Sequence, residues 1–233
     1  MSARRREVSS PPRRVRFESF YDGFNYAPGG QALAGCGPWS ASPFTPARAS
    51  LLVRAQAGGG GVVGGGVGGV VGVAGELRSN TLALGAGGGA AAPLALPWSF
   101  EFTVSFDGPT PAPGWDTYCQ VLLGDENGMQ NVLFVDIDST YATTGKAMIY
   151  LTDDRGASFY ALAPWALGGR YQVRMTWDGT RHRAFVNGTQ VTSGHLRSPA
   201  EITLQDGSLY IVGDASGGGG GGWTIFDFAY RLG

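Results

Sequence analysis

Asp136 and Asp138, in the run Val135-Asp136-Ile137-Asp138-Ser139-Thr140-Tyr141, come closest in type and spacing to a reactive pair. Residues two apart on a strand share a face, so a strand here would hold both carboxylates side by side. Paired carboxylates are the equipment of glycoside hydrolysis, one acting as nucleophile and the other as acid. Together with Asp125 and Asn127, in Gly124-Asp125-Glu126-Asn127-Gly128, the same two offer the oxygen ligands that Ca²⁺ takes. The plainer alternative is that these Asp and Asn residues form turns by bonding to their own backbone.

Other reactive groups are sparse. His182 and His195 are the only histidines, and His182 falls mid-strand, where a surface or interstrand position is expected. No serine, histidine and acid stand together in the contexts a catalytic triad needs. The glycine-rich stretch has no lysine and no helix-forming segment after it, so it is not a phosphate loop. Cys36 and Cys119 match no zinc spacing, and free thiols and a single disulfide both fit. Trp115, Tyr118, Tyr141, Tyr160 and Trp165 are placed in or beside loops. There, aromatic faces stack on sugars or anchor protein interfaces, the alternative for each being a place in the core.

Strands must position all of these groups. Tyr171, Val173, Met175 and Trp177 alternate with Gln172, Arg174 and Thr176, the period of a half-buried strand. Asp178-Gly179 supplies a tight turn, His182 to Val186 runs back, and Asn187-Gly188 turns again, because Asn and Gly accept positive φ. Trp98 to Phe106 alternates as cleanly, with Phe100, Phe102, Val104 and Phe106 on one side. Further strands are predicted within Phe17 to Tyr26 and at Glu76 to Leu84, Ala147 to Leu151, Ala157 to Leu162, Ile202 to Leu204, Ser208 to Val212 and Trp223 to Leu232. Cys119 to Leu123 and Val132 to Ile137 read as buried strands. Turn signals recur about every 8–12 residues, the spacing of a sandwich, and no stretch carries a helical period.

Composition agrees. A chain of 233 residues with 43% hydrophobic, 12% aromatic and only 15% charged residues can bury one β-sandwich core under an uncharged surface. Glycine (40) and proline (13) exceed a fifth of the chain, which suits many turns and argues against long helices. Residues 58–75, GGGGVVGGGVGGVVGVAG, form a low-complexity insertion read as a mobile surface loop, or as one that orders only against a neighbouring subunit or partner. Gly217 to Gly222 reads the same way.

Charge is uneven. Arg4, Arg5, Arg6, Arg13, Arg14 and Arg16 stand against Glu7, so residues 1–16 carry +5 and the remainder of a chain of net charge −1 carries −6. This basic arm, disordered or extended, is either a solvated terminus or a segment that pairs with an acidic partner. Nucleic acid is not expected, since the body has no matching basic patch. No segment is long and apolar enough for a membrane helix. Val8-Ser9-Ser10-Pro11-Pro12 follows the first arginines where a signal peptide would have its apolar core, so secretory export is not expected.

The order of elements is similar to the concanavalin A-like (laminin G-like) jelly rolls. An aromatic opening (Phe17 to Tyr26, then Gly37-Pro38-Trp39-Ser40), the late W-D-G…F-V-N-G hairpin and the closing strand Trp223-Thr224-Ile225-Phe226-Asp227-Phe228 carry the likeness. It covers residues 17–233 apart from the glycine tract. The resemblance implies an all-β, two-sheet antiparallel jelly-roll sandwich, with a basic arm at 1–16, a domain at 17–233 and the insertion at 58–75. Its glycosidase branch needs a Glu-x-Asp-x-x-Glu spacing. Here no glutamate fills either catalytic position and Tyr141 stands at the end, so no catalytic residue is assigned.

These readings converge on a non-enzymatic structural or adhesive module. The leading expectation is a phage virion component (head decoration, fibre or tail-associated) that docks on other virion or surface proteins through the arm and the glycine-rich loops. Trp115, Tyr118, Asp136, Asp138 and Tyr141 are the candidate ligand contacts, with a glycan as ligand, and Asp125, Asn127, Asp136 and Asp138 the candidate Ca²⁺ set. A lectin domain of a bacterial surface protein is the alternative, and a divergent glycosidase the third. Ca²⁺ and homo-oligomerisation stay open, and no membrane partner is expected.

Overall fold

A computed structural model describes residues 19–24, 26, 32–37, 39–41, 52–53, 70–71, 77–83, 97–106, 116–125, 128–153, 155–196, 208–214 and 223–232. The basic arm and the strand expected at Ile202 to Leu204 lie outside them, as do Gly217 to Gly222 and most of the glycine-rich insertion. None of the described helices is long and apolar enough to cross a membrane.

Among the described residues, fifteen strands build two antiparallel sheets. In chain order they are β1 (Ser19–Asp22), β2 (Trp39–Ala41), β3 (Leu52–Val53), β4 (Val70–Val71), β5 (Leu77–Ala83), β6 (Trp98–Phe106), β7 (Asp116–Asp125) and β8 (Gly128–Asp138). One helical turn, α1 (Ser139–Ala142), precedes β9 (Lys146–Thr152), β10 (Ser158–Pro164), β11 (Tyr171–Trp177), β12 (His182–Val186), β13 (Thr189–Gly194), β14 (Ser208–Asp214) and β15 (Trp223–Leu232). The eight-stranded sheet runs β13-β12-β11-β6-β15-β4-β3, with β1 also on β15; the seven-stranded sheet runs β10-β9-β8-β7-β14-β5-β2. The fold is all-β, an antiparallel sandwich.

Alternation explains the layers. On β6, Trp98, Phe100, Phe102, Val104 and Phe106 are buried between the sheets while Ser99, Glu101 and Thr103 are half-buried on the outside. Val173, Met175 and Trp177 on β11 do the same, and Cys119, Val121, Leu133, Val135, Ile137, Ile149 and Leu151 meet them from the other sheet. Cys36 and Cys119 are both buried free thiols. On β15 the register shifts between Ile225 and Asp227, so the inward residues change from Trp223 and Ile225 to Phe228 and Tyr230. The extra residue, Phe226, carries the Arg170 guanidinium 3.8 Å above its ring. Thr103 N–H donates to Asp227 Oδ1 at the same place (2.9 Å), which pins the bulge.

Turn chemistry accounts for the hairpins. Asn187 and Gly188 have φ of 47° and 78°, as a two-residue hairpin turn demands, and Gln172 N–H donates to Asn187 Oδ1 (2.9 Å). Between β11 and β12, Asp178 Oδ1 accepts from Thr180 N–H, Thr180 Oγ1–H and Arg181 N–H, and Asp178 Oδ2 pairs with Arg183. At the opposite edge, Asp22 Oδ1 accepts Phe24 N–H (2.7 Å), while Oδ2 accepts the Tyr26 hydroxyl and the Trp39 indole N–H, both at 2.6 Å. That carboxylate draws the aromatic opening segment onto Phe228, whose ring meets Trp39 edge-on.

Three expectations need correction, and one strand was not anticipated. Val70–Val71, inside the glycine tract, pairs with Thr224 and Ile225 of this same chain, so this part is built into the sheet and is neither a free loop nor dependent on a neighbour. His182 is interstrand but fully buried, its Nε2 3.1 Å from Asn131 Oδ1 on the facing sheet. The turn at Asp178-Gly179 spans four residues, because Asp178 organises Thr180 and Arg181 as well. The polar strand β13 escapes an apolar-pattern reading altogether.

Candidate functional site

The outer face of the seven-stranded sheet carries a line of aromatic rings. On β8, Leu133, Val135 and Ile137 point into the core, which turns Phe134 and Asp136 outward. On β9, Ile149 and Leu151 point inward and Tyr150 outward; on β10, Ala163 is inward and Tyr160 and Leu162 outward. Antiparallel register then sets Phe134 opposite Tyr150 and Tyr150 opposite Tyr160. Tyr118 on β7 completes the line diagonally, since Gln120 is the direct partner of Phe134 and Asp136 that of Tyr118.

The rings touch in sequence. Centroids are 5.4 Å apart for Tyr118 and Phe134, 6.3 Å for Phe134 and Tyr150, and 5.6 Å for Tyr150 and Tyr160, with interplanar angles of 54°, 69° and 42°. Tilted and edge-on contacts of this kind suit the ring quadrupole and hold the rings in place. The first three are half-buried, whereas Tyr160 on the edge strand is 64% exposed, with Leu162 beside it at 40%.

Asp136 lies at the margin of this line, half-buried, opposite Tyr118 on one side and Met148 on the other. Two residues on, Asp138 stands opposite Asp116, and Asp214 of β14 stands opposite Tyr118.

Of the residues picked from sequence, Tyr118 and Asp136 are thus brought to one face. Tyr141 is not part of the line: it sits half-buried in α1, and its carbonyl accepts Thr144 N–H (2.9 Å) and Thr144 Oγ1–H (2.8 Å), closing the turn into β9. Asp125 is at the far end of the β7–β8 hairpin, opposite Gly128. At about 3.3 Å per residue, the eight residues from Gly128 to Asp136 separate Asp125 from Asp136 by about 25 Å, so the four proposed Ca²⁺ ligands do not converge. Trp115 and Asn127 lie outside the described residues, as do Arg4, Arg5, Arg6, Arg13, Arg14 and Arg16. Among the described residues, no three His, Cys, Asp or Glu side chains gather closely enough to hold a metal ion.

Tyr118 and Tyr160 belong to strands, not to loops, and Trp165 is a core residue stacked on Tyr171 (3.9 Å) and edge-on to Phe106. Phe134 and Tyr150, the centre of the line, were missed from sequence. The run Val132-Leu133-Phe134-Val135 is apolar throughout, so its two faces cannot be told apart without the register. His182 is remote from this face. Burial between Trp98 and Trp177 lowers its pKa to about 4; nearby Asp153 and Asp178 oppose that shift and His195 adds to it.

Neither a protein-family profile nor a curated protein sequence matches this chain. Among solved structures, it is similar to the CBM2 module of the evolved Dit of Lactobacillus casei BL23 phage J-1, at 14% identity over 94% of this chain and 95% of that one, with a TM-score of 0.59. It is similar to apo Crh5 transglycosylase at 10% identity over 95% and 88% of the two chains, TM-score 0.56. The receptor binding domain of botulinum neurotoxin D matches at 14% identity over 78% of this chain and 44% of that chain, TM-score 0.51. At such identities the likeness is one of fold: this chain shares the β-sandwich jelly-roll architecture of those proteins.

Proposed function

We propose that this chain is a non-catalytic glycan-binding module of the concanavalin A-like type, with the outer face of the seven-stranded sheet as its site. The observation that carries the reading is the line Tyr118, Phe134, Tyr150 and Tyr160, four rings in successive contact, three half-buried and the last largely exposed on the edge strand. Sugar rings present apolar C–H faces and a hydroxyl rim, and aromatic platforms bordered by polar groups such as Asp136 match both. Glycan-array binding by the wild type, abolished in Tyr150→Ala with the fold intact, is the expected result; an array without a single specific hit would overturn it.

The role we propose is that of a phage virion component, whether head decoration, fibre or tail-associated protein, with the arginine arm and the glycine-rich loops docking on its neighbours. The likeness in fold to a module of a phage Dit, spanning nearly all of both chains, supports it. Co-sedimentation with purified virions tests it, and a protein recovered only free in a lysate would favour a surface lectin instead. The fold of Crh5 transglycosylase raises hydrolysis as another reading, and Asp136 and Asp138 are where it would have to sit. The two glutamate positions of the glycosidase spacing hold Asp136 and Tyr141 instead, which weighs toward binding.

A further inference from the structure

The two sheets end in edges of very different kinds. Among the described residues, β1, β2 and β3 have four, three and two residues, which offer little to a partner strand. The polar edge strand β13 pairs with β12 through a register shift between Ala184 and Phe185. β10 has none of these defences. Its seven residues, Ser158-Phe159-Tyr160-Ala161-Leu162-Ala163-Pro164, pair with β9 without a shift and include no charge. Proline stands only at the last position. Tyr160 and Leu162, two of the four large apolar side chains exposed among the described residues, both lie on it. We infer that this chain forms a symmetric dimer through the open edge of β10, which joins the seven-stranded sheets of two copies into one antiparallel sheet. This interface goes beyond the glycan reading and stands or falls without it.

Backbone parity fixes which groups face outward. Asp153 N–H donates to the Ala157 C=O (3.1 Å) at the turn between β9 and β10, and Trp165 N–H donates to the Gly145 C=O (2.8 Å) at the other end of the ladder. Both pairs belong to one register, so Phe159, Ala161 and Ala163 between them also turn their N–H and C=O toward β9. The N–H and C=O of Ser158, Tyr160 and Leu162, and the C=O of Pro164, therefore point to the open edge. No described strand lies there.

That set of groups is complementary to itself. An antiparallel copy related by a two-fold axis at Ala161 brings Tyr160 opposite Leu162 of the other copy, and Ser158 opposite its Pro164. Tyr160 and Leu162 then exchange N–H···O=C bonds on both sides of the axis. Each Pro164 C=O accepts the opposing Ser158 N–H, and the missing proline N–H falls at the very ends. Side chains agree with the backbone. Tyr160 meets Leu162 on the outer face, while on the inner face Phe159 meets the small, buried Ala163. Seven residues at about 3.3 Å make an edge about 23 Å long, and the sheets stand about 10 Å apart. Such a wall buries about 1,000 Å² over both copies, the lower bound for a specific interface, so Kd is expected on the order of 10–100 µM.

Sedimentation velocity on the full chain, from about 1 to 500 µM, should show a reversible passage from monomer to dimer. Leu162→Lys sets two like charges about 8 Å apart beside the axis and should weaken association at least about tenfold, with thermal melting confirming the fold. Ala161 faces itself across the axis as a non-hydrogen-bonded pair, its two Cα atoms about 4.5 Å apart and within disulfide reach. Mild oxidation of Ala161→Cys should therefore give a covalent dimer. Ser158→Cys should not, because its two copies lie about 20 Å apart. The native thiols Cys36 and Cys119 are buried and do not compete. A monomer at every concentration would overturn the inference and leave the edge to a strand from another protein. A dimer indifferent to Leu162→Lys, or one linked by Ser158→Cys in preference to Ala161→Cys, would overturn it equally. Each of these results leaves the glycan reading in place.

Discussion

His182 Nε2 lies 3.1 Å from Asn131 Oδ1, a buried hydrogen bond that joins the two sheets beside the β11–β12 turn. The imidazole packs against Trp177 at 4.5 Å and Trp98 at 5.8 Å between ring centroids, so its charged form has little to replace water. In the folded protein burial holds its pKa near 4, against 6.5 for an ordinary histidine. The unfolded chain therefore takes up the proton first. Stability is full above about pH 6.5, falls as pH drops toward 4, and loses up to about 3 kcal/mol from this group across that window. Urea unfolding between pH 7 and 4 should show the decline, and His182→Gln should flatten the part of it that His182 contributes.

The Phe159 ring lies directly over the Gly194 backbone, where the edge strands β10 and β13 bring the two sheets together. A methyl group at Gly194 would overlap that ring. Gly194→Ala is expected to cost about 1–3 kcal/mol by overpacking, read as a lowered thermal midpoint. Phe159→Leu in the same molecule should recover part of the loss, because the two positions are in contact and their effects do not add.

Tyr160 stands mostly in solvent, so its removal separates binding from folding. Tyr160→Ala should leave stability within about 0.5 kcal/mol of wild type while lowering affinity for a neutral glucan hexamer about tenfold. Denaturant curves and titration calorimetry on one preparation check both. Equal affinity in the two proteins would remove the edge ring from the site.

Asp22 gathers three donors at one edge of the sandwich: Phe24 N–H, the Tyr26 hydroxyl and the Trp39 indole. Burial, with the carboxylate beside it, pushes the Tyr26 hydroxyl pKa well above its ordinary value, keeping that hydroxyl a donor. Asp22→Ala removes the shared acceptor and is expected to destabilise the protein by about 2–4 kcal/mol. Chemical denaturation measures the loss, and a red-shifted tryptophan emission would report the freed Trp39 segment.

Local pattern made most of the strands legible. Trp98–Phe106, Tyr171–Trp177, His182–Val186 and Trp223–Leu232 have the bounds read from the sequence; the first three alternate between a buried and a wetter face, and the last is an aromatic run buried on nearly both. Asn187-Gly188 announced its turn for an equally local reason, since the two residues accept the positive φ found there. Strand β13, Thr189–Gly194, is polar and largely outside the core, so no apolar period gave it away. The short pairs Leu52–Val53 and Val70–Val71 owe their strand character to β15 and to each other, not to their own sequence.

The site divides along the same line. Residue types placed Tyr118, Asp136 and Asp138 among the candidates, and the missing glutamates were plain in the sequence itself. The aromatic line was not, because it exists only through register: Phe134, Tyr150 and Tyr160 are 16 and 10 residues apart in sequence, yet direct neighbours across β8, β9 and β10. Likewise Asp125 and Asp136 belong to one hairpin, but its length carries them to opposite ends. Alternation is set by each residue's near neighbours and can be read along the chain. Which strands lie side by side, and in which register, depends on closing one core from both sheets at once, and only the folded chain decides that.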